Sequence, residues 1–126
     1  MSAVPTILVV DDDPSVRKSL TRVMAAAGYA VEAFASAREL LTRESLGAPC
    51  CLILDVRMPG LTGLDLQKML AGDGRRMPIV FITGHGDVSM GVKAMNAGAS
   101  AFLTKPFDIE TLLGAVGRAV AKSVSD

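Results

Sequence analysis

Carboxylates, a hydroxyl and an amine stand where short apolar runs of this chain end, and together they could carry phosphoryl chemistry. Asp11, Asp12 and Asp13 follow the run Thr6 to Val10, and Asp55 follows Cys50 to Leu54. Thr83 and Gly84 end the run from Pro78, and Thr104-Lys105-Pro106 ends the run from Ala101. Carboxylates gathered at one place repel one another unless a cation sits among them. Mg²⁺ suits such a place, because it is hard, prefers oxygen ligands and commonly takes one or two carboxylates with phosphate oxygens and water. Asp13 precedes Pro14 and is diverted to capping a helix, which leaves Asp11 and Asp12 for the ion. A carboxylate is also a nucleophile toward phosphorus, giving an aspartyl phosphate. Such a transfer asks a protein mainly for positioning and for charge to stabilise the equatorial oxygens. Here Mg²⁺ could bridge Asp55 and one phosphoryl oxygen, Lys105 could hold a second as a point charge, and Thr83 could hydrogen-bond a third.

The elements that must position these groups are legible as an alternating series. Thr6 to Val10 has the length of a buried strand, and Pro14 opens a helix on which Val16, Leu20, Val23, Met24 and Ala27 recur at helical spacing before Gly28 stops it. Tyr29 to Phe34 reads as a second strand, and Ser36-Ala37-Arg38-Glu39 has the capping-box pattern of a short helix that includes Leu40 and Leu41. Cys50 to Leu54 is a third strand, and Leu64, Met69 and Leu70 lie on a third helix after the turn-rich Met58-Pro59-Gly60. Pro78 to Thr83 is a fourth strand, Asp87 to Ala97 a helix stopped by Gly98, and Ala101 to Thr104 a fifth strand. Asp108 caps a last helix with Leu112, Leu113, Val116 and Val120 as its buried stripe. Strands alternating with helices imply a doubly wound parallel sheet covered on both faces, and the apolar, non-alternating strands fit burial on both sides. In such open α/β sheets ligands bind beyond the carboxyl ends of the strands, which is where the carboxylates, Thr83 and Lys105 converge. No linker, low-complexity segment or repeat interrupts the pattern, so one domain is expected over residues 1–126.

Composition removes several function classes. The longest apolar run is far below the ~18 residues of a membrane span, and the N-terminus carries no basic, apolar leader. A cytoplasmic protein is the expectation. Thirteen Lys and Arg balance thirteen Asp and Glu, so excess positive charge gives no case for nucleic-acid binding by this chain itself. Cys50 and Cys51 are adjacent, point to opposite faces of a strand, and are expected as small reduced residues in or near the core. His85, the one histidine, has no nearby Ser or Cys to complete a triad and makes no metal site alone. It is expected in a loop near the site, where it would tune water access to an acyl phosphate. Lys105 taken alone would be an ordinary surface lysine, and Thr83 alone a turn cap. The methionines are expected as flexible core fillers, Met95 included, with some exposure of Met90 and Met95 at an association face as the alternative.

Ile7-Leu-Val-Val-Asp11-Asp12-Asp13, Leu54-Asp55-Val-Arg-Met-Pro59-Gly60, Ile82-Thr83-Gly84 and Lys105-Pro106-Phe107 resemble the signature blocks of response-regulator receiver domains of two-component signalling. The resemblance spans about Thr6 to Val120. Arg57-Met58-Pro59, Thr83-Gly84-His85-Gly86 and Lys105-Pro106-Phe107 resemble the FixJ-type subgroup of transcriptional regulators. The resemblance implies a (βα)5 flavodoxin-like, CheY-like fold and a phosphoacceptor at Asp55 served by a sensor histidine kinase. It implies Mg²⁺, with Mn²⁺ or Ca²⁺ able to substitute, bound directly by Asp12 and Asp55, through water by Asp11, and by the carbonyl of Arg57. Lys105 would contact the phosphoryl group, with a cis bond to Pro106. Thr83 and Phe102 would form a switch pair, the hydroxyl moving toward the phosphate as the ring turns inward. The surface of the fourth helix, fifth strand and fifth helix would then dimerise or meet an output domain. Phe102 stands where the family often has Tyr, so no phenolic hydrogen bond would report the switched state. The chain catalyses only its own phosphorylation and dephosphorylation on this view, and is otherwise not an enzyme. No DNA-binding segment follows Asp126 in this sequence, so the chain reads as a stand-alone receiver or as a fragment of a longer regulator, which the subgroup resemblance favours.

Two other classes fit less well. Phosphohydrolases of the haloacid-dehalogenase type place an Asp nucleophile after the first strand with a second Asp two residues on. Here Arg57 stands two residues after Asp55, and no cap insert is present. A flavodoxin-like FMN binder would want a Ser/Thr/Gly-rich phosphate loop where this chain has three aspartates and a proline.

Overall fold

A computed structural model of the chain describes residues 4–43, 50–56, 61–72, 77–84 and 88–125. Ten elements alternate along it: β1 (Thr6–Val10), α1 (Pro14–Ala26), β2 (Ala30–Phe34), α2 (Ala37–Leu41), β3 (Cys50–Asp55), α3 (Gly63–Gly72), β4 (Ile79–Thr83), α4 (Val88–Asn96), β5 (Ala101–Thr104) and α5 (Ile109–Ser125). The strands form one parallel sheet in the order β2-β1-β3-β4-β5. This is the doubly wound architecture expected from the sequence. The chain order reverses between β1 and β3, the place where such sheets open a crevice at their carboxyl ends.

Alternation along each central strand builds two cores. Leu8, Val10, Leu52, Leu54 and Phe81 point to the face covered by Leu40 of α2, Leu66 and Leu70 of α3 and Ala94 of α4. Ile7, Val9, Cys51, Ile53, Val80 and Ile82 point to the opposite face, where Leu20 and Met24 of α1 meet Leu112, Val116 and Val120 of α5. A strand apolar at every position is required for this, since each face carries its own helices. Burying one such aliphatic side chain contributes roughly 1.5–3 kcal/mol, so the two cores fix where the strand ends fall.

Helix ends are set locally. Asp13 accepts a 2.8 Å hydrogen bond from the Ser15 amide as the cap of α1, with Pro14 in the first turn. Gly28, at φ +98°, closes α1, with the Tyr29 amide donating back to the Met24 carbonyl. Gly98, at φ +103°, closes α4 in the same way, the Ala99 amide donating to Ala94. Ser36 caps α2 by accepting from the Glu39 amide. At α3 the pairing is reciprocal, Thr62 Oγ1 accepting from the Asp65 amide and Asp65 Oδ2 from the Thr62 amide, both at 3.1 Å. Those bonds hold the Asp65 carboxyl below the usual carboxylate range.

Two expectations are corrected. The strand β2 is not buried on both sides: Ala30, Glu32 and Ala33 are exposed, because β2 lies at the sheet edge with β1 as its single neighbour. Its Glu32 pairs with Arg43 after α2, a charged edge of the kind that discourages strand addition. That guanidinium lowers the Glu32 carboxyl pKa. Met95 is not a core residue but 46% exposed, and Val92 beside it is 53% exposed. Gly91 and Ala94, three residues apart, form the buried stripe of α4, so 92 and 95 fall on the opposite side. Met90 packs partly against the first core. Cys51 is fully buried, as expected.

Candidate functional site

The parallel register brings the strand ends to one edge. Val10 pairs with Leu54, so Asp11 and Asp55 emerge side by side from β1 and β3. Asp55 pairs with Ile82 and Thr83 with Thr104, which places Thr83 and Lys105 along the same edge. The Lys105 amide donates to the Thr83 carbonyl at 2.8 Å, and the Lys105–Pro106 bond is cis.

Oxygen atoms of Asp11, Asp12 and Asp55 lie within 4.8 Å of one another. Asp11 is 1% exposed, Asp55 half-buried and Asp12 exposed, so the cluster grades from the core to solvent. Asp11 Oδ1 accepts from the Asp13 amide at 2.9 Å, while Oδ2 is buried without a hydrogen-bond partner among the described residues. Burial pushes the Asp11 carboxyl up to about 6; the Asp13 amide opposes the rise, the Asp55 charge adds to it, the Lys105 ammonium offsets it and Asp12 adds again. The influence of Lys105 on Asp11 puts the amine within electrostatic reach of the cluster.

Hard oxygen donors with one buried, unsatisfied carboxylate oxygen fit a small divalent cation. A buried acceptor left unpaired costs about 1–3 kcal/mol, and an ion bound there would remove that cost. The Thr83 side chain is fully buried and its Oγ1 also lacks a partner among the described residues. A hydroxyl so placed at a strand end is available to an incoming oxygen. Phe102 is half-buried, its ring centroid 6.5 Å from that of Phe81 in the first core.

Asp11, Asp12, Asp55, Thr83 and Lys105 are thus gathered at the edge where the sequence placed them, and Asp13 is occupied in capping as expected. Arg57, His85 and the Met58-Pro59-Gly60 turn lie outside the described residues. Sequence reasoning missed two glycines. A Cβ on Gly63 would stand 2.7 Å from the Asp55 carbonyl oxygen, so α3 can approach the end of β3 only with glycine there. A Cβ on Gly91 would stand 2.9 Å from the Phe102 ring, so that ring rests in a hollow of α4. The available signal was glycine inside apparently helical segments, where it costs about 1 kcal/mol relative to Ala and so suggests close packing.

Comparison with known proteins gives a consistent picture. The family model described as "Response regulator receiver domain" matches residues 7–117. Nodulation protein W of Bradyrhizobium diazoefficiens is 52% identical over 110 residues, covering 87% of this chain and 48% of that protein. Transcriptional regulatory protein FixJ of Azorhizobium caulinodans is 42% identical over 118 residues, covering 91% of this chain and 54% of that one. The structure of response regulator StyR superposes with a TM-score of 0.91 at 45% identity, over 98% of this chain and 62% of that chain. The chain therefore spans about half the length of the curated relatives it matches. Among the described residues no helix is long and apolar enough to cross a membrane.

Proposed function

Because the chain belongs to the response regulator receiver domain family, we propose that it is a Mg²⁺-dependent switch in which Asp55 accepts a phosphoryl group from a sensor histidine kinase. It is a receiver domain of two-component signalling, with transcription regulators among its relatives. The observation that carries the reading is the gathering of Asp11, Asp12 and Asp55 oxygens within 4.8 Å, with Lys105 in electrostatic reach.

In the proposed reaction a carboxylate oxygen of Asp55 attacks phosphorus as the bond from phosphorus to the donor nitrogen breaks, and the donor keeps that electron pair. Asp11, Asp12, Asp55 and the Arg57 carbonyl would hold the cation. A bound Mg²⁺ supplies the positive charge that lets the carboxylates and the phosphoryl oxygens share one site. Lys105 neutralises a second phosphoryl oxygen, and the Thr83 hydroxyl donates to a third. Thr83 has no competing partner among the described residues, so this bond is gained only when the phosphoryl group arrives. Such a difference between the two states is what a switch requires. As Thr83 moves, Phe102 repositions against α4, and the surface of α4, β5 and α5 alters its readiness to dimerise or to meet an output domain. Exposed Val92 and Met95 on α4 support an association face there. Residues 1–126 would act as one receiver domain in the cytoplasm, touching DNA only through an output domain. Action as a stand-alone receiver by protein contact is the alternative, favoured if phosphorylation leaves the chain monomeric.

The test is intact-protein mass spectrometry after incubation with Mg²⁺ and a small acyl phosphate. One phosphoryl adduct is expected on the wild type, absent in EDTA and absent from Asp55→Asn. An adduct of equal yield on the Asn variant would defeat the assignment.

A further inference from the structure

Asp11 is held by its main chain as well as its side chain. Its amide donates to the Phe34 carbonyl at 3.2 Å, and its Oδ1 accepts from the Asp13 amide at 2.9 Å. Its carbonyl accepts a 2.7 Å hydrogen bond from Nη1 of Arg17, a half-buried residue on the first turns of α1. The amide of the same Arg17 donates to the Asp13 carbonyl at 3.0 Å. One residue thus grips the β1–α1 loop at both ends, through its backbone at Asp13 and through its guanidinium at Asp11. With these bonds made, Oδ2 is the one side-chain oxygen of Asp11 left buried without a partner among the described residues.

From this we propose that Arg17 is a positioning residue for the cation site, acting through the peptide that joins Asp11 to Asp12. The inference rests on the reading of Asp11, Asp12 and Asp55 as the cation ligands. The peptide unit is planar, so fixing the direction of the Asp11 carbonyl fixes the plane from which Asp12 leaves. Asp12 is exposed and has no core packing to orient it, so that plane is one of the few constraints on where its side chain can point. Arg suits the task, because its guanidinium stays charged and presents rigid, directed donors. The cation that acts on the Asp11 carboxyl itself is Lys105, so the two basic residues divide the work. Lys105 supplies charge and Arg17 supplies direction.

Loss of the guanidinium has opposite consequences in the two states. Without a bound cation, a freer loop lets like charges move apart, and the relief offsets the lost hydrogen bond. With a cation, the carboxylates must converge, and a freer loop has to be ordered again on binding. Arg17→Met keeps the aliphatic stem but removes the donor. In the full chain it should weaken Mg²⁺ affinity by about three- to tenfold, on the scale of the net contribution of one ordinary hydrogen bond. Its melting temperature in EDTA should stay within about 2 °C of wild type. Arg17→Lys, which keeps a charged donor, should recover part of the affinity.

Affinity is read by titrating MgCl₂ while following amide chemical shifts. Wild-type Mg²⁺ affinity in Arg17→Met overturns the proposal if Asp12→Asn has lost it. Wild-type affinity in Asp12→Asn would instead sink the underlying cation site. A fall in EDTA stability as large as the fall in Mg²⁺, or failure of the Met variant to fold, would make the role structural and overturn the proposal as well.

Discussion

Asp12→Asn should make the metal-free protein more stable while removing its response to Mg²⁺. The cluster holds three carboxylates whose oxygens lie within 4.8 Å, so three repulsive pairs exist and Asp12 takes part in two of them. At 4.8 Å each pair costs about 0.9 kcal/mol in a water-like dielectric and about 3.5 kcal/mol at an effective dielectric of 20. Asp12 is exposed, so the lower figure applies, and salt at 0.1 M screens it further. Loss of attraction to the nearby Lys105 ammonium takes back part of the gain. A net stabilisation of about 0.5–1 kcal/mol remains, equivalent to about 2–5 °C in Tm for a domain of this size. Wild type at a Mg²⁺ concentration 100 times its Kd should gain about 2.7 kcal/mol by mass action, and the variant only a small part of that. Thermal unfolding followed by circular dichroism at pH 8, in EDTA and then in Mg²⁺, measures both effects. A variant that melts lower than wild type in EDTA, or that keeps the full Mg²⁺ shift, would refute the reasoning.

A pH dependence follows from Asp11, whose carboxyl stands at about 6 in the metal-free fold and returns to about 3.9 in the unfolded chain. The fold holds this proton more tightly than the unfolded chain, so its stability contribution is largest below pH ~4, declines as pH rises to ~6 and is level above. Denaturant unfolding of wild type minus Asp11→Asn isolates the effect, and a difference that grows with pH over that window would contradict it. Mg²⁺ competes for the same carboxylate, so its affinity should fall below pH ~6, which titrations at pH 5.5 and 8 would check. Gly63→Ala puts a Cβ 2.7 Å from the Asp55 carbonyl oxygen and 3.0 Å from the Val56 Cα, both backbone atoms that cannot turn aside. It should cost about 1–3 kcal/mol and blunt the Mg²⁺ response by shifting Asp55. Melting like that of wild type, with and without Mg²⁺, would show that the contact is relieved cheaply.

What could be read from the sequence is local in origin. Asp13-Pro14 announces a capped helix start, Gly28 and Gly98 announce helix ends at positive φ, and continuous apolar runs announce strands covered on both faces. Once those elements alternate, the carboxyl-end rule puts Asp11, Asp12, Asp55, Thr83 and Lys105 on one edge. What escaped is settled by contacts distant in sequence. The edge position of β2 depends on sheet order, for which Glu32 in the middle of Ala30–Phe34 was the one local hint. Gln67 would read as a solvent-facing position of α3, yet it is 6% exposed and donates from Nε2 to the Ala94 carbonyl of α4 at 3.2 Å. Met95 fails for the same reason, since the face of α4 that turns inward is chosen by where Phe102 and Gln67 lie. The Thr62-x-x-Asp65 cap was within reach, because a hydroxyl three residues before a carboxylate is a recognised helix start.

The central claim is that acidic side chains from β1 and β3 meet around one hard cation beside Lys105. Crystals soaked in Mn²⁺ and measured at its absorption edge test it without reference to turnover or phosphorylation. One anomalous peak within coordination distance of the Asp12 and Asp55 carboxylates, lost in Asp12→Asn, is the predicted result. A peak elsewhere, or no peak while the carboxylates stand apart, would contradict the account.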